Sequence, residues 1–223
     1  MWRLYHHHLC PFSRRVRIAL GEKRIEHELV LEKPWDRRDG FLELNPAGQT
    51  PVLEDVEQGI VLSDSGAIIE YLEETTHDHE LIGNSAEERA EVRRMAAWFD
   101  QKFYDDVSRY LIEEWYWKRF ISKASVNSAT VRAALYNVRG HMDYIAYLTD
   151  RRRWLAGDYF SIADVSAAAQ LSVIDYLGGI DWDNFPLAKD YYMRLKSRPS
   201  MRSILADRVD GLRPAAVYAK LDF

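Results

Sequence analysis

A single cysteine in 223 residues excludes an internal disulfide and suits a reducing compartment. No apolar run approaches the roughly 18 residues of a membrane span, and no signal peptide opens the chain. The expected location is therefore the cytoplasm, without membrane insertion. The formal net charge is −5 and no extended basic block is present, so a nucleic-acid partner has no electrostatic footprint here. Repeats and low-complexity segments are also missing. What is there is ordinary globular material, 47% hydrophobic and 29% charged, enough for two small domains or one large one.

The densest local signal runs from Asn45-Pro46-Ala47-Gly48-Gln49-Thr50-Pro51-Val52-Leu53 into Ser63-Asp64-Ser65-Gly66-Ala67-Ile68-Ile69. A turn leads to a proline at the head of an apolar strand, where no ladder donor is required. A cis bond into Pro51 would turn the carbonyl and N–H of Thr50 outward, able to hold an extended peptide. Asp64 and Ser65 then open an amphipathic helix whose free N–H groups attract a carboxylate. Together they describe a pocket for a small acidic peptide.

The start of the chain supplies the other half. Trp2–His6 reads as a strand, and Cys10-Pro11-Phe12-Ser13-Arg14-Arg15-Val16 starts a helix with proline in its first turn. Phe12, Val16, Ala19 and Leu20 form one apolar face with arginines between them. Cys10 falls at the N-cap, where a thiolate is most easily stabilised. Glu28–Leu31 gives a second strand, and Val52–Asp55 with Ile60–Leu62 gives a hairpin around Gln58-Gly59. The order is βαβαββα.

Residues 77–84 form a polar connector ending in turn residues, so residues 1–76 and 85–223 are expected to be separate domains. From Ser85, which opens a capping box, the chain reads as helical. Val92, Met95, Ala96, Phe99, Phe103, Val107 and Tyr110 make one stripe; Val131, Ala134, Leu135, Val138, Met142, Ile145 and Leu148 make another. Ser161 caps a further helix, with Asp164 at its third position reaching back to a free backbone donor.

The βαβαββα order with these residues, followed by Trp154-Leu155-Ala156-Gly157-Asp158-Tyr159-Phe160-Ser161-Ile162-Ala163-Asp164, resembles the cytosolic glutathione transferase superfamily. The resemblance implies an N-terminal thioredoxin-like domain with a mixed four-stranded sheet, then an all-α domain. It places Thr50 and Pro51 at the cysteinyl part of glutathione and Asp64 and Ser65 at its γ-glutamyl end. Asp64 departs from the glutamate common there by one methylene, which leaves the amine end less surely held. Cys10 becomes the candidate catalytic thiol, with Ser13 as the other hydroxyl able to activate a thiol. The plainer alternative is an inert, half-buried cysteine and a first-turn serine.

A narrower resemblance rests on Cys10–Arg17, on Trp35 in its charged loop and on the tail Tyr218-Ala219-Lys220-Leu221-Asp222-Phe223. These are similar to a cell-division branch of the superfamily that binds FtsZ filaments. This branch implies a homodimer that bridges and curves those filaments, recruited to the division site, needing no cofactor and no glutathione chemistry. Trp35 and Asp222 would meet partners; Met95 and Trp98 would lie at the dimer interface, as the superfamily arrangement suggests. The competing expectation is a glutathione-dependent transferase or thiol transferase using Cys10, with glutathione as a substrate or a vestigial ligand.

Other features stay open at this level. Trp35 either folds over the pocket's edge or faces a partner. Trp115, Tyr116 and Trp117 cannot share one helical face, so at least one should reach a surface or cleft. The tail either covers a groove or docks elsewhere. His6-His7-His8 resembles a metal tag, but adjacent strand residues face opposite sides, so no metal is expected.

Overall fold

A computed structural model describes residues 1–223. The first part is β1 (Trp2–His6), α1 (Pro11–Glu22), β2 (His27–Leu31), α2 (Asp39–Leu44), β3 (Val52–Asp55), β4 (Ile60–Ser63) and α3 (Ser65–Thr75). The sheet order is β2-β1-β3-β4, with β1 parallel to β2 and antiparallel to β3, and β3 antiparallel to β4. Leu4 pairs with Leu53 in this register, and both are fully buried. Strand alternation sends them to the same face as Val16 and Leu20 of α1 and Ile68 and Leu72 of α3, which together make a small apolar core.

The second part is helical. α4 (Ala86–Ala97) begins at Ser85 with a capping box closed by Glu88. The same helical run continues through a π-helical stretch (Trp98–Ser108), α5 (Arg109–Ile112) and a second π-helical stretch (Glu113–Ile121). Then come α6 (Ser128–Thr149), α7 (Ile162–Leu177), α8 (Pro186–Lys196) and α9 (Arg202–Leu205). Every residue from Ile162 to Tyr176 is buried, so α7 is the central post of this part. Its capping box forms as read: Asp164 accepts from the N–H of Ser161 and of Leu155 and from the hydroxyl of Tyr191.

The two parts share a seam, and charged residues lie inside it. The arginines between the apolar positions of α1 are enclosed: Arg14, Arg15 and Arg17 are all buried. Ile18 and Ala19 belong to the large core of the helical part, so α1 is enclosed on all sides. Arg17 makes a two-pronged pair with Asp207, at 2.7 and 2.9 Å. Arg14 donates to Ser172 and to the carbonyl of His8, and His8 Nδ1 lies 3.1 Å from Asp207. Lys23 and Glu73 add a second buried pair, and Glu73 also accepts from the N–H of Leu81 beyond α3.

Candidate functional site

The turn before β3 is built by its own side chains. Asn45 Nδ2 donates to the carbonyl of Gln49, and Asn45 Oδ1 accepts from Ala47 N–H. Gly48 supplies the φ of +65° that the turn requires. The Thr50–Pro51 bond is cis, as the sequence suggested. The carbonyl of Thr50 accepts from Cys10 Sγ at 3.4 Å, and Cys10 Sγ accepts in turn from Ser13 N–H, so Cys10 is the N-cap of α1.

Asp64 is the N-cap of α3, with φ of +74°, and its Oδ1 accepts from the N–H groups of Gly66 and Ala67. That oxygen is therefore committed to its own helix. Ser65 is buried and its Oγ accepts from Arg15 Nη1 at 3.2 Å. Arg15 Nε lies 3.2 Å from Asp100 Oδ2, which also accepts from Ser166. Burial pushes the Asp100 carboxyl upward, against the pull of Arg15 and the Ser166 hydrogen bond. Arg15 thus links the first domain to the π-helical stretch directly behind the expected peptide site. Its partner lies 85 positions away in sequence, so no local pattern announces it.

Two adjoining cavities result. The first, about 550 Å³, is lined by Thr50, Pro51, Asp64, Ser65 and Arg15. It is open and largely polar at its back, with Glu70 and Arg93 at its rim forming a two-pronged ion pair. The second, about 260 Å³, holds Cys10 with Trp35, Tyr104, Tyr116 and Trp117. Phe12, Gln49 and Thr50 are common to both, so they form the partition.

Aromatic rings crowd the second cavity. Trp35 meets Trp117 edge-on at 5.7 Å and His7 at 5.2 Å, and His7 packs on Tyr116 at 5.6 Å. Trp35 is half-buried in this cluster: its ring lines the cavity's edge and part of it stays accessible. Of the three-aromatic run, Tyr116 and Trp117 both line this cleft, Tyr116 buried and Trp117 half-buried. Burial, reinforced by the nearby His8 and Arg14 side chains, lowers His7 to about 4, and burial pushes the Tyr116 hydroxyl up to about 12. Both are neutral at pH 7. No cationic side chain hydrogen-bonds Cys10; its partners are Thr50 and Ser13 backbone groups.

Two expected roles are corrected. Ser13 is fully buried, its Oγ accepts from His7 N–H, and it lines neither cavity, so it is not placed to activate a bound thiol. Met95 has no exposed surface, because its sulfur lies against Arg94 and Tyr144 within the chain's own core. It therefore offers a second copy no atom. Trp98 remains half-exposed, with Nε1 donating to His141.

The histidine run is divided. His6 is buried, His7 turns to Tyr116, and His8 turns to Asp207. No group of three or more His, Cys, Asp or Glu side chains is arranged to hold a metal ion. No helix is long and apolar enough to cross a membrane.

The tail folds back on the helical part. Tyr218 is fully buried and donates to the carbonyl of Ile204; Arg14 sits between Tyr176 and Tyr218, at 5.8 and 5.7 Å. Phe223 rests against Trp182 and Tyr192 with Lys196 Nζ 3.9 Å from its ring centre. Asp222 stays exposed between these anchors.

Comparison with known proteins adds four findings. Residues 9–75 match the family model for the glutathione S-transferase N-terminal domain. FtsZ-localized protein A of Caulobacter vibrioides is 45% identical over 222 residues, spanning 99% of this chain and 97% of that protein. Among solved structures, a glutathione S-transferase from Rhodospirillum rubrum F11 superposes with a TM-score of 0.98 at 48% identity, covering both chains completely. FzlA from C. crescentus superposes at 0.96 and 44% identity, covering 100% of this chain and 99% of that one.

Proposed function

Since this chain belongs to the cytosolic glutathione S-transferase superfamily and within it resembles FtsZ-localized protein A, we propose that it is a division protein associating with FtsZ filaments. In this reading it acts as a homodimer in the cytoplasm, is recruited to the division site, and regulates filament curvature and constriction without glutathione chemistry. The observation that carries the proposal is the 45% identity to FtsZ-localized protein A across nearly the whole of both chains. Physical reasoning supports the dimer: a two-fold pair presents each patch twice, so a modest contact becomes bivalent along a polymer. In this reading the half-exposed Trp98 would pack against the second copy, and Asp222 and the accessible part of Trp35, at the edge of the aromatic cluster, would meet partners.

The aromatic crowding beside Cys10 supports the non-enzymatic part. A thiol transferase needs room for a second, bulky disulfide partner at that sulfur, and the space there is about 260 Å³. The test is co-sedimentation with FtsZ filaments. Trp35→Glu should weaken it at least about tenfold, as truncating a central aromatic anchor does, while Cys10→Ala binds like the parent. Unchanged binding of Trp35→Glu, with its fold checked by circular dichroism, would overturn the placement of the contact. Failure of the parent protein to sediment with filaments would overturn the function.

The open polar cavity favours a second reading, a glutathione-dependent thiol transferase. The Cys10 thiolate would attack the glutathionyl sulfur of a mixed disulfide, releasing the other partner as a thiolate. A second glutathione would then free Cys10 and leave as glutathione disulfide. Retention on immobilised glutathione together with Cys10-dependent reduction of a mixed disulfide would favour this reading.

A further inference from the structure

A third concavity shares no residue with the two at the cleft. It has a volume of about 830 Å³ and lies between the C-terminal end of α6 and the outer side of α8. Its cations come from Arg153, Arg194 and Arg198, and its apolar surface from Trp154, Leu187 and Met193. Arg153 closes the run Arg151-Arg152-Arg153 in a chain whose net charge is −5.

Two of these guanidinium groups are held, and that of Arg153 is exposed. Arg194 stacks against Trp154 at 5.2 Å and Tyr191 at 5.6 Å, and its Nη1 donates to the carbonyl of Arg153 at 2.8 Å. Arg198 lies 3.7 Å over Phe160 and is neutralised by a two-pronged pair with Glu22. Neither Arg153 nor Arg194 has a carboxylate within 4.0 Å. Arg151 shows the ordinary fate of such a residue, bonding to Tyr147 and Asp150 of its own helix end. Asp190, the acid of the groove, is likewise without an ion-pair partner.

We propose that this groove docks an acidic peptide segment of a partner protein, with its carboxylates on Arg153 and Arg194 and an apolar side chain against Leu187 and Met193. The stacked guanidinium of Arg194 and the exposed, unpaired fork of Arg153 suit planar carboxylates. The volume suits several residues of extended chain rather than a single ion. A polyanion with a phosphate at every step fits less well, because two unpaired cations and Asp190 give it no continuous track.

The test is fluorescence anisotropy of the full chain with a fluorescein-labelled peptide Glu-Asp-Leu-Glu-Glu-Ile-Asp at low salt. Saturable binding is expected. The double variant Arg153→Glu/Arg194→Glu should weaken it by about tenfold or more, as charge reversal at a rim does. Asp190→Asn should tighten it by about threefold, a gain that a misfolded variant cannot mimic. Absence of saturable binding, or equal binding by the double variant, overturns the proposal. So does a dT oligonucleotide, or a phosphatidylserine vesicle, that displaces the peptide and binds more tightly than it.

Discussion

The two sides of α1 are held by different physics. Toward the sheet, Val16 and Leu20 pack with Leu4, Leu53, Ile68 and Leu72, a core with no polar atom from a side chain. Toward the helical domain, Ile18 and Ala19 are interleaved with Arg14 and Arg17, whose charges converge on Asp207. The first side tolerates any apolar surface of about the right shape. The second works only with one geometry, because a buried cation without its partner is costly. The apolar side holds a domain together; the charged side sets how the two domains meet.

Breaking the charged side should have the largest effect. Asp207→Asn keeps volume but leaves Arg17 and Arg14 without a counter-charge, and should lower the unfolding free energy in urea by about 4 kcal/mol. Adding Arg17→Met to that variant should recover part of the loss, because the uncompensated charge then leaves with it. On the apolar side, Leu20→Ala should cost about 3 kcal/mol by cavity formation, with no rescue from any charge change.

Acid titration sharpens the same contrast. Burial alone would raise the Asp207 carboxyl, but the hydrogen bonds from His8 and Arg17 and the charges of both arginines outweigh it. Its folded value is thus depressed, so its contribution is present above the unfolded value of about 4 and is lost as pH falls below it. Asp164, in the first turn of α7, behaves oppositely. Burial raises it to about 6 against its hydrogen bonds from Leu155, Tyr191 and Ser161. Its contribution is present below about pH 4 and is lost as pH rises through 6. Chemical denaturation from pH 7 to 3 should therefore show stability gained from Asp164 between 6 and 4, and lost from Asp207 below 4. An Asp164→Asn variant should lack the upper limb and keep the lower one.

The smallest effect is expected at the cap. Cys10→Ala removes the acceptor for Ser13 N–H and should cost about 1 kcal/mol, while Cys10→Ser should cost less, since a hydroxyl caps at least as well. Thermal melts of the two variants would distinguish a capping role from a packing one.

What could be read from the sequence follows from how local each interaction is. Ser161 with Asp164, Ser85 with Glu88, and Asp64 with Gly66 and Ala67 act within three positions, so their residue types announce them. The turn from Asn45 to Pro51 is as local. The burial of α1's arginines was not legible, because Asp207 lies 190 positions from Arg17. The aromatic cluster joins Trp35 to Trp117 through space, and neither neighbourhood encodes the other. The π-helical stretches were read as plain helix, since Phe99, Phe103 and Val107 fit a four-residue rhythm whichever way the ladder bonds. Ser13 and Met95 were misplaced for a related reason. A residue's type shows that it lies near a site, but its exposure is set by distant chain.

The folded-back tail has a consequence for any partner that reads it. Tyr218 is locked under Ile204 and Phe223 is pinned by Lys196, so the four residues between them, Asp222 included, are presented as a tethered arch. Their loss of conformational freedom is already met when the chain folds, leaving a binder little ordering to impose. A synthetic peptide of the same residues begins as a random coil and carries that ordering penalty itself. It would be a poor competitor for the intact protein even with every contact atom in place.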